Sequence, residues 1–226
     1  MPAQEDKIGL SVGSHMRTEW TPFITKKVSA AGFKIFPYLN VHGTTPDEGF
    51  GTFYDSPRYS TGFLTLRQTP GYITETHMLK PYQKRVESTY EFIHACVELL
   101  SAQSIRSVVD KSRKAVQTTV DFPLDWAIDS TKATEIAFDG YKSGYKKSEV
   151  TGEPRLFYDP AQPYSANIPY YPALKPTKRV TAPEYYILKK GYTAVEERLR
   201  ANGVVLKPFD KDTVITLEVY HIDTFS

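Results

Sequence analysis

Val86, Tyr90, Ile93, Val97 and Leu100 recur at steps of four, three, four and three. That spacing lays one apolar stripe along a helix. Pro81 suits the first turn of this helix, and the pattern predicts that it continues to near Thr118 with a break around Ser101–Ser104. Upstream, "TEWTPFITKKVSAAG" (18–32) predicts another helix, with Thr21 as N-cap, Pro22 at the first helical position and Gly32 at the stop. "FKIFPYLNV" (33–41) is a strand candidate interrupted by Pro37, "FLTL" (63–66) a short element and "GYITET" (71–76) a strand.

The texture changes near residue 119. "TTVDFPLDWAI" and "TEIAFDGYKSG" read as short strands with turns, and the seven prolines of 153–184 favour extended chain over helix. "TAVEERLRANG" predicts a short helix, with Thr193 as N-cap, Glu196 at the capping-box position and an Asn-Gly stop. "TVITLEVYHI" (213–222) alternates as a strand does. The chain thus reads as α/β over 1–118, followed by a smaller β-rich α+β region over 119–226. No internal repeat is visible.

Composition narrows the class. The 226 residues are 40% hydrophobic and 24% charged, which suits a globular protein with a real core. A formal net charge of +2 gives no electrostatic case for nucleic acid or an anionic membrane. No apolar run is long enough to span a bilayer, and the acid-bearing N-terminus has no signal-peptide h-region. A single cysteine, Cys96, rules out an internal disulfide and a cysteine-based zinc site. "GSHM" at 13–16 resembles a vector-derived scar, but the surrounding sequence runs through it unbroken and it is read as native.

Candidate chemistry centres on two stretches. The irregular segment 42–62 is dense in Gly, Pro, Asp, Ser and Thr, and long structureless loops in compact domains tend to be functional. It is followed by "TETHM", which puts Glu75 and His77 at a strand-to-helix junction. The five histidines are scattered singly, without HExxH or His-x-x-Glu. His15/Glu19 and His94/Glu98 have helical i, i+4 spacing, and the plainer reading of the second pair is a partly exposed helix histidine beside an acid. Strand phase puts Glu75 on the side of Ile73. An acid on the apolar side is costly unless paired or used, and burial shifts a carboxylic acid toward proton transfer near neutral pH. The alternative is a half-exposed carboxylate paired with Lys80 or Arg85. No GxSxG, P-loop or GxGxxG is present, and Cys96 reads as a buried, inert thiol.

Over "GFGTFYDSPRYSTGFLTLRQTPGYITETHMLKPYQKRVESTY" the sequence resembles the zinc carboxypeptidase family (carboxypeptidase A/B-type metallopeptidases), in particular its large bacterial members. The similarity runs from about residue 20 to 117 and is most specific over 49–90. Beyond 119, "PEYYI…VEERLRANGV…TVITLEVYHI" is similar to the β-rich region that follows the peptidase domain in those proteins. The resemblance implies a partial mixed-sheet, carboxypeptidase-like (phosphorylase/hydrolase-like) sandwich. It implies that Glu75 is the general base that activates a zinc-bound water. Tyr54 is the best match by spacing for the family's mobile tyrosine, Tyr59 is the runner-up, and Arg58 is a candidate partner for a substrate carboxylate.

The family's zinc ligands, a His-x-x-Glu pair and a later histidine, fall upstream of the matched region and are not found in this chain. The resemblance therefore implies zinc in the intact parent but none bound to this chain alone. It also implies a peptide substrate, the missing N-terminal half of the catalytic domain as a partner, and inactivity of the isolated chain. The compartment stays open, with a secreted or periplasmic parent suggested. The alternative is a non-enzymatic peptide- or glycan-binding protein on a degenerate peptidase fold.

Overall fold

A computed structural model describes residues 5–38, 40–102 and 104–219. Contacts divide the chain into two units, Met1–Ala182 and Pro183–Ser226. The change of texture at residue 119 is the passage from helices to strands inside the first unit.

The first unit opens with one continuous helical run: α1 (Leu10–His15), a π-helical turn (Met16–Trp20) and α2 (Thr21–Ala30). The helix therefore begins well before the expected Thr21 cap, and Pro22 lies inside the run. The reason is a row of apolar residues spaced by four: Ile8, Val12, Met16, Trp20, Ile24 and Val28, all buried. In a regular α-helix each four-residue step overshoots a full turn by about 40°, so such a row would wander round the cylinder. A wider π turn brings it back to one face. It also falls just before Pro22, whose ring and missing N–H disturb the preceding turn. Within "GSHM", Gly13 and Met16 are buried, and Met16 belongs to the core, whereas Ser14 is exposed. The predicted stop holds: Gly32 has φ +87°, and the N–H groups of Gly32 and Phe33 donate to the carbonyls of Ser29 and Val28 in the double bond of a Schellman end.

Residues 33–38 form no strand; only β1 (Asn40–Val41) pairs, antiparallel to β2 (Phe50–Gly51). α3 (Ser60–Leu66) contains the whole of "FLTL". "GYITET" is not a strand, with Tyr72 alone forming an isolated bridge. The predicted helix and its break are found as α4 (Tyr82–Ala102) and α5 (Ile105–Gln117).

The packing of α4 differs from expectation. Phe92, Ala95 and Leu99 face the core, whereas Val86, Tyr90, Ile93, Val97 and Leu100 are 49–63% exposed. The helix carries two apolar faces, and the inner one meets the Ile8–Val28 row.

β3 (Asp121–Ile128) pairs with β6 (Leu174–Thr181) antiparallel. β4 (Thr134–Lys147) and β5 (Pro154–Tyr171) form a long antiparallel hairpin, and β5 also runs parallel to β2. The result is a mixed four-stranded sheet, β1-β2-β5-β4, beside a two-stranded antiparallel one. Phe36, Phe50 and Phe138 pack with ring centroids 5.4–5.5 Å apart on the mixed sheet. The proline-rich stretch is extended as predicted, and Ser143↔Tyr158 follows Tyr141↔Pro163, so Asp159–Gln162 loop out of register.

In the second unit, α6 (Thr193–Ala201) starts one residue earlier than the sequence indicated, with Tyr192 rather than Thr193 as N-cap. Its Asn202–Gly203 stop repeats the Gly32 motif, with Gly203 N–H donating to Arg200 O and Val204 N–H to Leu199 O. Residues 213–219 form no strand, having no pairing partner among the described residues; the rest of the predicted strand, 220–222, lies outside them.

Candidate functional site

The site segment runs from β2 through α3 to the start of α4. Thr52 N–H donates to Tyr171 O at 2.9 Å, which fixes the exit from the mixed sheet. The chain then turns sharply at Asp55–Ser56, against α3. A Cβ on Gly62 would lie 2.1 Å from Ser56 O and 2.5 Å from Asp55 O, so only glycine admits this approach.

The turn buries Asp55, which is 2% exposed. Neither of its carboxylate oxygens has a partner at hydrogen-bond geometry among the described residues. Burial raises its pKa, while the nearby Lys7 charge and the Gly62 N–H pull the other way. Lys7 donates to the Asp55 backbone carbonyl, and its Nζ sits 4.8 Å from the centre of the Tyr54 ring. Burial pushes the Lys7 amine down to about 8, opposed by Asp55. Tyr54 is thus a half-buried ring held under a lysine, and burial raises its phenol.

Arg58 and Tyr59 lie on the outer side of this turn. Tyr59 is 51% exposed and meets Phe53 edge-on at 5.5 Å. Arg58 is exposed and makes no hydrogen bond or ion pair among the described residues. Two residues past the end of α3 lies Gln68, a non-glycine residue at φ +52°. Its buried Oε1 accepts from Gly9 N–H at 2.7 Å and from Ser112 Oγ at 2.8 Å, and its Nε2 donates to Thr65 O at 3.1 Å. That one amide ties the start of α1 and the end of α3 to the middle of α5.

From Gly71 the chain crosses the core edge. Tyr72 packs on Phe92 at 6.1 Å and shares a 3.2 Å hydrogen bond with Thr21 Oγ1. Glu75 then emerges exposed, so the burial read from strand phase is absent. The alternative reading also fails, since neither Lys80 nor Arg85 pairs with it among the described residues. His77 closes the next turn: its Nδ1 accepts from Leu79 N–H at 3.2 Å and its carbonyl accepts from Lys80 N–H at 3.0 Å.

The structure brings Tyr54, Arg58 and Tyr59 onto one turn. No hydrogen bond, ion pair or ring contact among the described residues joins them to Glu75. No group of three or more His, Cys, Asp or Glu side chains converges as a metal site among the described residues. His94 is an exposed helix residue stacked on Tyr90 at 6.1 Å, and Glu98 pairs instead with Lys27 at 2.8 Å. His15 and Glu19 approach to 3.8 Å. Cys96 is half-buried, and burial raises its thiol. No helix of the described residues is long and apolar enough to cross a membrane.

Two features escaped the sequence reading. Lys7 and Asp55 are 48 positions apart, and Gln68 and Ser112 are 44 apart, with no local period to link either pair. No protein-family model, curated protein or solved structure matches this chain.

Proposed function

We propose that this chain carries the general-base part of a zinc carboxypeptidase-like hydrolase, on a partial mixed-sheet sandwich of that kind. One juxtaposition carries the reading. A free, exposed Glu75 leads through a short turn into α4, whose outward stripe from Val86 to Leu100 is apolar and at least 49% exposed. Contiguous apolar faces of this sort mark interaction surfaces. The missing N-terminal half of the catalytic domain is the occupant this reading assigns to it. The mixed sheet and the unpaired Arg58 beside Tyr59 are in keeping with the reading.

In this account Glu75 accepts the proton of the attacking water and returns it to the leaving amine. Arg58 meets the terminal carboxylate of a peptide, with Tyr54 and Tyr59 beside it. The reading assigns the zinc, which would polarise the scissile carbonyl, to the intact parent.

The test compares the chain alone with the intact parent, in zinc content and in release of C-terminal residues from peptides. Near-stoichiometric zinc and turnover are expected in the parent only. Zinc-dependent turnover by the chain alone contradicts the divided site. A parent that binds peptides or glycans without cleaving them contradicts the hydrolase.

A further inference from the structure

The first unit contains a cavity of about 350 Å³, walled by α2, residues 35–37, Phe92 of α4 and the sheet residues Ile136 and Tyr170. Close-packed interiors leave few voids larger than a water, and this volume is within the range of small-molecule sites. Its walls are mostly apolar, with Ile24, Ile35, Phe92 and Ile136 among them.

The polar groups cluster around Glu5. Thr21 Oγ1 reaches Glu5 Oε1 at 3.5 Å and the Tyr72 hydroxyl at 3.2 Å. The electrostatic influence of Glu5 extends to Tyr72 and Tyr170, whose phenols burial pushes up to about 12. Glu5 and the adjacent Asp6 share a single guanidinium, with Arg17 donating to them at 3.1 and 2.8 Å. Burial raises the Glu5 pKa against the pull of Arg17, and two carboxylates against one cation leave this end rich in acceptors and net acidic. No lysine or arginine lines the cavity among the described residues, and the Tyr170 hydroxyl makes no hydrogen bond there. An ammonium group is a donor only, and this end offers acceptors and negative charge.

We propose that this cavity binds a small primary amine carried on an apolar body, with the ammonium at Glu5 and Tyr170 and the body against Ile24, Ile35 and Ile136. An anion of the same shape is disfavoured by the carboxylate pair. The site is separate from Glu75 and stands whether or not the hydrolase reading does.

The test uses the full 226-residue chain and three probes with similar bodies: 2-phenylethylamine, 2-phenylethanol and 3-phenylpropionate. Isoleucine methyl NMR resonances report where each binds. The amine is expected to shift the Ile24, Ile35 and Ile136 methyls saturably, with a Kd at least about tenfold below that of the propionate. Glu5→Gln keeps the side-chain shape and is expected to abolish that preference while leaving the alcohol unchanged. Ile136→Trp fills the cavity and is expected to remove binding of both. If Ile136→Trp does not fold by circular dichroism, the wild-type methyl map decides alone. Shifts confined to other residues, no saturable shift with any probe, equal affinity for amine and propionate, or an unchanged preference in Glu5→Gln each overturns the proposal.

Discussion

The helical run from Leu10 to Ala30 and the short helix α6 end in the same way, each with a glycine at positive φ and a double hydrogen bond to the last turn. Beyond that they differ completely. The first presents a row of residues, Ile8 to Val28, all 3% exposed or less. In the second unit no described residue is buried: Tyr185, Tyr186, Val205 and Phe209 are all more than 60% exposed. Local signals start and stop a helix in both places. Only a facing apolar layer gives it stability, since most helical stability in proteins comes from packing rather than propensity.

The sharpest way to break this comparison is a pair of truncations. Trp20→Ala removes a side chain that is 1% exposed at the centre of the row, and is expected to destabilise the chain by about 3–5 kcal/mol in urea unfolding. Val195→Ala on α6, at 39% exposure, is expected to stay within about 0.5 kcal/mol. Comparable losses at the two sites would mean that the second unit has a core after all.

Two smaller changes test what closes the first unit. Gly62→Ala forces a methyl against the carbonyls of Asp55 and Ser56 and should cost on the order of 2 kcal/mol. Gln68→Ala strands the Gly9 N–H and the Ser112 hydroxyl, at about 1–3 kcal/mol. Both are measurable as a shifted urea midpoint at constant slope.

Burial in the first unit is also expected to give stability a pH profile. The Lys7 amine has a folded pKa of about 8 against 10.5 unfolded. Below pH 8 both states are charged and the burial penalty is full; between pH 8 and 10.5 only the unfolded state stays charged, so stability rises with pH. Tyr72 and Tyr170 act oppositely, with folded values of about 12 against 10.0. Their contribution is complete below pH 10 and is lost between pH 10 and 12. The urea midpoint should therefore climb from pH 8 toward 10 and fall beyond it. Lys7→Met should flatten the climb.

The parts of this fold visible in the sequence are those written in local chemistry. The break between α4 and α5, the Gly32 and Gly203 stops and the extended proline-rich strands all depend on residues close together in the chain. The true start of the first helix was hidden, because a row spaced by four matches no regular α-helix until a π turn corrects it. "GYITET" alternates like a strand but finds almost no partner, and alternation alone does not pair a backbone. The α4 stripe was legible as a stripe, yet periodicity cannot say which of two apolar faces meets the core. At the candidate site, the turn holding Tyr54, Arg58 and Tyr59 stood out by composition. Its anchor, Lys7 over Tyr54 beside buried Asp55, depends on residues from distant parts of the chain.

The function proposed here turns on one carboxylate, and the most direct test is Glu75→Gln in the intact parent. Gln keeps the size of the side chain and removes its basicity. The account predicts zinc content and folding unchanged and peptide turnover lower by about 10²–10⁴-fold, the usual contribution of a general base. Turnover within twofold of the unsubstituted parent, about 0.4 kcal/mol in barrier height, would contradict it.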